Sequence, residues 1–241
     1  MPYAFAHPAA VIPFAKLLGR YSVPSALAIG SLIPDAWYLV PLLNRDHTHR
    51  AIAVLWFCLP AGLLAYAAFH LIFKQPMLAL LPSRLAGRLA AWTRPGLPAV
   101  PWPSVLVSML VGIATHLIWD TFTHTGLLAV LETELFAGVQ LHQVLQHGSS
   151  LLGSVFLAWW LWCKLRATKP QPRLCELQPR VRLAVLVVMI LFPVMVFFAV
   201  LQAFDAGTLR TALRAAGLMG VSAFGLVALP FCLAWKRWLA P

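Results

Sequence analysis

Long apolar runs, separated by short segments rich in proline or basic residues, set the pattern of this chain. Residues 51–73, 103–120, 150–163, 183–203 and 213–235 approach or exceed the roughly 20 residues that cross a bilayer as a helix. A sixth run, 22–43, is interrupted by Pro24, Pro34 and Pro41. The pattern predicts an all-α integral membrane protein, a helical bundle of five or six spanning helices joined by small loops. No internal repeat or low-complexity segment divides it. The simplest organisation is one transmembrane domain over residues 1–241, with a metal-site region in 1–165 and an additional helical pair, free of His, in 181–241.

Composition agrees with this reading: 61% of the residues are hydrophobic and 10% are charged. The formal charge of +11 would fit a nucleic-acid partner, but in a membrane protein positive charge first records orientation. Lys74, Arg84, Arg88 and Arg94 fall in one connection. Lys164, Arg166, Lys169, Arg173, Arg180 and Arg182 fall in or beside a second, and Lys236 and Arg237 close the chain. These segments are expected on the cytoplasmic side, touching anionic lipid headgroups rather than nucleic acid. Arg45, Arg50, Arg210 and Arg214, diluted by Asp46, Glu132, Glu134 and Asp205, are expected outside. The start MPYAFAHPAAVIPFAKLLGR lacks the layout of a cleaved secretory signal and is expected to be retained. The localisation expected is a bacterial cytoplasmic (inner) membrane, crossed several times. Cys58, Cys163, Cys175 and Cys232 have no paired spacing and read as packing residues.

The run GIATHLIWDTFTHTG carries His116, Asp120 and His124 at intervals of four, which a continuing helix would place on one face. Ionisable groups at membrane depth are costly without a partner, and a divalent cation neutralises a carboxylate while accepting imidazole nitrogens. Asp35 lies in GSLIPDAWYL, His47 and His49 in NRDHTHR, His142 and His147 in QLHQVLQHGSS, and His7 in AFAHPAA. A rise of about 1.5 Å per residue from the expected inner turns brings His7, Asp35 and His116 to a similar depth, roughly 20 Å up. The candidate metal ligands are therefore His7, Asp35, His47 or His49, His116, Asp120, His124 and His142. Zinc is the first expectation, with manganese or iron as alternatives. Asp46 and His147 are candidates for protonating a leaving group. Ser149 and Ser150 are candidates for orienting ligands, and His70, near the expected cytoplasmic end of its helix, reads as structural.

MPYAFAHPAA, GSLIPD and HLIWDTFTH together resemble the bacterial membrane-protein family catalogued as domain of unknown function 4184. A related group comprises inner-membrane proteins labelled predicted metal-dependent hydrolases. The wider order of residues is similar to zinc-dependent phospholipase C and single-strand-specific nucleases. That resemblance implies ligands, in chain order, at His7, Asp35, His47 or His49, His116 with Asp120, His124 and His142. Gln146 stands where those enzymes have a Glu, the step to His124 is shorter, and their zinc-binding N-terminal Trp is absent. One or two ions are therefore expected rather than three.

The function this implies is a membrane-embedded, metal-dependent hydrolase of a phosphoester in a lipid or lipid-linked substrate. Its site would lie in the extracytoplasmic half of the membrane. A non-catalytic metal-binding or metal-transporting protein is the alternative, with a haem-binding bundle third. No nucleophile-elbow, phosphate-loop or dinucleotide fingerprint occurs.

Overall fold

The computed structural model describes residues 4–39, 43–125, 128–136, 138–172, 177–203, 208–235 and 237. Cys175, Asp205, Arg173 and Lys236 lie outside them. The described chain is almost entirely helical. Its α-helices are α1 (Val11–Leu18), α2 (Pro24–Gly30), α3 (Arg45–Thr48), α4 (Leu59–Ala68), α5 (Lys74–Leu80), α6 (Ser83–Ala90), α7 (Trp102–Thr123), α8 (Leu141–Ala167), α9 (Pro179–Gln202) and α10 (Leu209–Ala234). A small antiparallel hairpin, β1 (Glu134–Phe136) and β2 (Val139–Gln140), turns at Gly138, whose φ of 79° favours glycine.

Four helices among the described residues are long and apolar enough to cross a membrane: Val54–Leu80, Trp102–Thr123, Pro179–Gln202 and Thr211–Ala234. The expected count of five or six is not confirmed among them. The run 22–43 breaks into α2 and a 3-10 segment, Ile33–Leu39, each of seven residues. The run 150–163 lies within α8, which also takes in the polar QHGSS stretch and the basic Lys164 and Arg166.

The span Val54–Leu80 widens twice, into π-helical turns at Val54–Cys58 and Phe69–Phe73. Each precedes a proline by two or three residues. Pro60 and Pro76 have no N–H to return to the carbonyl four residues earlier, and the ladder shifts to longer bonds, Leu59 to Val54 and Lys74 to Phe69.

Contacts divide the chain into two compact units. The first comprises Met1–Tyr66 and Pro98–Arg166. Its core joins Val23, Ala26, Ile33, Cys58, Tyr66, Val105, Met109 and Ile113. α2 meets α7 at two glycines: a Cβ on Gly30 would press on the Met109 carbonyl, and one on Gly112 on the Leu27 carbonyl. Backbone thus touches backbone, as small residues permit between membrane helices. Ser108 Oγ secures the crossing by accepting the Val23 N–H at 3.0 Å.

The second unit comprises Ala67–Leu97 and Ala167–Pro241. α9 packs along α10 there, around a core of Ala79, Leu80, Leu177, Met189, Ala228 and Trp235. Lys74, counted from sequence with a basic loop, is instead buried, its Nζ 2.8 Å from both the Gly96 carbonyl and His70 Nδ1. His70 is thereby part of the packing, as expected. Cys58 and Cys232 are buried, whereas Cys163 is exposed on α8 rather than packed.

Candidate metal centre

The first unit gathers His7, Asp35, His49, His116 and Asp120 from four segments of sequence. α7 supplies His116 and Asp120 one turn apart, both buried, because Gly112 one turn earlier lets α2 approach. That approach sets the Ser31 carbonyl 2.8 Å from His116 Nδ1. A carbonyl only accepts, so Nδ1 carries the proton and Nε2 keeps its lone pair for the interior.

His49 is fixed in the same way. Its Nδ1 lies 3.2 Å from the Arg45 carbonyl and 2.9 Å from Thr48 Oγ1, leaving Nε2 inward. The single turn α3 is held by Asn44, whose side chain accepts the His47 N–H at 3.1 Å while His47 Nδ1 faces the Asn44 N–H at 3.4 Å. The cap explains why the two neighbouring histidines part: His47 is exposed and spent on the cap, and His49 enters the cluster.

Ligand atoms of His7, His116 and Asp120 all lie within 4.8 Å of one another, as do those of Asp35, His49 and His116. His49 Nε2 is 3.3 Å from His116 Nε2, 3.2 Å from Asp120 Oδ2 and 3.6 Å from Asp35 Oδ1. His116 Nε2 is 3.8 Å from both Asp35 Oδ1 and Asp120 Oδ2. Four ligands about 2.0–2.1 Å from a tetrahedral zinc stand roughly 3.3 Å apart, so these spacings need only a small contraction.

A second observation on the same atoms bears on the fit. Both oxygens of Asp35 and Oδ1 of Asp120 are buried and accept no hydrogen bond, and His7 Nδ1 is equally without a partner. Buried carboxylate oxygens are rarely left so. Two carboxylates among neutral-capable imidazoles are the donor set of a hard or borderline divalent cation. The residues fit such an ion.

His7 stacks on His116 with ring centroids 3.9 Å apart and turns Nε2 to within 3.8 Å of Asp120 Oδ1. Trp119 meets the His7 ring edge-on at 5.5 Å and donates its indole N–H to Ser149 Oγ at 3.1 Å. Ser149 therefore positions His7 at one remove. Ser150 is buried and its carbonyl accepts from Ser154. Burial, reinforced by His116, pushes the His7 pKa down to about 4, which keeps the imidazole neutral near neutral pH. For His49 burial works against the proton, but the neighbouring carboxylates of Asp120 and Asp35 outweigh it and the pKa is raised.

α7 stops at Thr123, and His124 is extended (φ −131°, ψ 156°) rather than on the same helical face. Its ring nevertheless folds back, Nδ1 3.5 Å from Asp120 Oδ1, while Nε2 lies 3.0 Å from the Gln146 amide nitrogen. Since the amide donates to Nε2, the proton of the neutral ring sits on Nδ1, 3.1 Å from Thr123 Oγ1. His124 is thus a neighbour of Asp120 and lies outside the two converging groups.

The remaining expectations separate from the cluster. His142 directs Nδ1 to the Leu131 carbonyl at 3.2 Å and joins neither group. Asp46 and His147 are exposed, Asp46 on the outer side of α3 and His147 on α8. Sequence reading missed Arg45, whose Nη2 donates to Asp120 Oδ2 at 2.9 Å. Its signal was the interval to His49: four residues on one helical turn share a face.

Beside the cluster a groove of about 360 Å³, apolar throughout its surface, is lined by Ala10, Phe14, Thr115, Ile118, Trp119, Phe122, Thr123, Leu145 and Ser149.

Fold and site together define a helical membrane protein with a buried His and Asp cluster able to hold a metal ion. Residues 1–234 match the family described as domain of unknown function (DUF4184), and the chain belongs to that family. No curated protein and no solved structure matches it.

Proposed function

We propose that this protein is a metal-dependent hydrolase of a phosphoester in a lipid or lipid-linked substrate, working in the outer half of a bacterial inner membrane. The observation that carries the reading is the set of buried, unsatisfied carboxylate oxygens: Asp35 Oδ1, faced by the Nε2 atoms of His49 and His116, and Asp120 Oδ1, faced by His7 Nε2. Asp35, His49, His116 and Asp120 would hold the ion, zinc first, and His7 would contribute beside Asp120 Oδ1. A bound divalent cation supplies a water of lowered pKa and stabilises negative charge on a phosphoryl oxygen.

The chain's own residues do the rest. Carbonyls of Ser31 and Arg45 fix which nitrogen His116 and His49 present. Trp119 and Ser149 hold His7 against His116. The groove along Phe14, Ile118, Phe122 and Leu145 would take a hydrocarbon chain of the substrate, since it is apolar and adjoins the ligands through Trp119 and Thr123. The outer placement is supported by Arg84, Arg88 and Arg94 ahead of the start of α7 and by the position of Asp120 three residues before its end.

The test is hydrolysis of a short-chain phospholipid and of a soluble phosphoester by the full chain in detergent, before and after chelation and again after zinc is restored. Turnover that disappears and returns supports the reading. Bound zinc with no turnover on either substrate class favours a metal carrier, and a Soret band in place of zinc favours haem.

A further inference from the structure

Arg45 reaches the centre from the same helical turn as His49. Its Nη2 donates to Asp120 Oδ2 at 2.9 Å, on the oxygen that also lies 3.2 Å from His49 Nε2. The Asp120 side chain is only 4% exposed, whereas that of Arg45 is 32% exposed, so the guanidinium stands at the mouth of the cluster. Its Nε is buried and has no acceptor. The fork is therefore only partly used.

Two cations compete for that one oxygen. An ion shared among Asp35, His49, His116 and Asp120 would draw on Asp120 Oδ2 as well, and a guanidinium held 2.9 Å from the same atom would face it at short range. An oxyanion taken up by the guanidinium would balance the excess positive charge without leaving a buried charge unpaired. A phosphoryl group offers paired oxygens that match the planar fork, including the Nε–H now without a partner.

We propose that Arg45 is a phosphoryl-binding residue: it covers Asp120 in the metal-free protein and turns its fork to the phosphoryl oxygens of a ligand once the centre is loaded. This rests on the metal-centre reading above. The ligand chemistry is a phosphate mono- or diester oxyanion, borne by a lipid headgroup or by free phosphate.

The full-length protein in detergent is titrated with zinc alone, then in its zinc-loaded form with inorganic phosphate and, separately, with dihexanoyl phosphatidic acid. Calorimetry compares wild type, Arg45→Met and Arg45→Lys. Arg45→Met is expected to bind zinc at least as tightly as wild type, because a competitor for Asp120 is gone, while phosphate binding weakens about 10- to 100-fold. Arg45→Lys, keeping the charge without the fork, should fall between, and it decides the question if the Met variant does not fold. Weakening in both arms assigns the phosphoryl group itself; weakening only with phosphatidic acid assigns a lipid headgroup. Equal phosphate affinity in all three proteins overturns the proposal, as does zinc binding lost in Arg45→Met but kept by wild type. Wild type that takes up no zinc removes the metal centre itself, and this inference with it.

Discussion

The Ser31 carbonyl lies 2.8 Å from His116 Nδ1, and this single contact decides which imidazole nitrogen faces Asp35 and Asp120. It exists because Gly30 and Gly112 let α2 and α7 touch backbone to backbone. A methyl at Gly112 would meet backbone atoms of Leu27, Gly30 and Ser31, which cannot turn aside as a side chain can. Gly112→Ala should therefore cost about 1–3 kcal/mol in thermal unfolding and weaken metal binding with it. Gly217→Ala, on α10 with open space around it, serves as the control and should leave both unchanged or add slightly to stability.

His47 and His49 should behave oppositely. His49→Ala removes an inward Nε2 and should abolish stoichiometric zinc uptake. His47→Ala removes only its half of the cap on α3, an exposed interaction worth about 0.5 kcal/mol, and should retain full metal content. Equal loss in both would mean that the turn, rather than the ligand, matters.

Asp35→Asn separates a metal centre from a plain polar cluster. Asp35 is a buried carboxylate whose oxygens accept no hydrogen bond. Replacing it with an uncharged amide should raise the melting temperature of the chelated protein, by an amount equivalent to about 1–3 kcal/mol. The same change should remove the stabilisation that zinc gives to wild type. Differential scanning with and without zinc reads both effects.

The groove has its own test. Ala10→Phe would fill space in the groove that Ala10 shares with Phe14 and Leu145, and it replaces no ligand side chain. It should raise KM for a long-chain lipid substrate roughly tenfold, the value of two or so buried methylenes, and leave a soluble phosphoester unaffected. A parallel rise for both substrates would place the hydrocarbon chain elsewhere.

Much of this was legible in the residues. The interval between His116 and Asp120 was a direct consequence of helix period, and it survives because both lie well inside α7. Helix rise suggests that Asp35 and His7 can come near His116, and the structure brings both to it. The choice between His47 and His49 was closed to sequence because it depends on a cap formed by Asn44. His124 failed the shared-face expectation because α7 ends one residue earlier, yet its ring still reaches Asp120 through the turn. His142 was drawn in by chain order, while its ring is taken by the Leu131 carbonyl. Arg45 was read as a marker of topology, since charge counting treats every loop arginine alike. Hydropathy alone also does not separate a span from the short segments Pro24–Gly30 and Ile33–Leu39, whose apolar residues pack in a core, a distinction only tertiary structure makes.

The most direct measurement is metal content by mass spectrometry, on wild type and Asp120→Ala purified in detergent without added metal, with helicity checked for both. Wild type should carry at least one divalent ion per chain, and the folded variant should carry none. A folded wild type devoid of metal that also fails to take up zinc on titration would contradict the proposed centre.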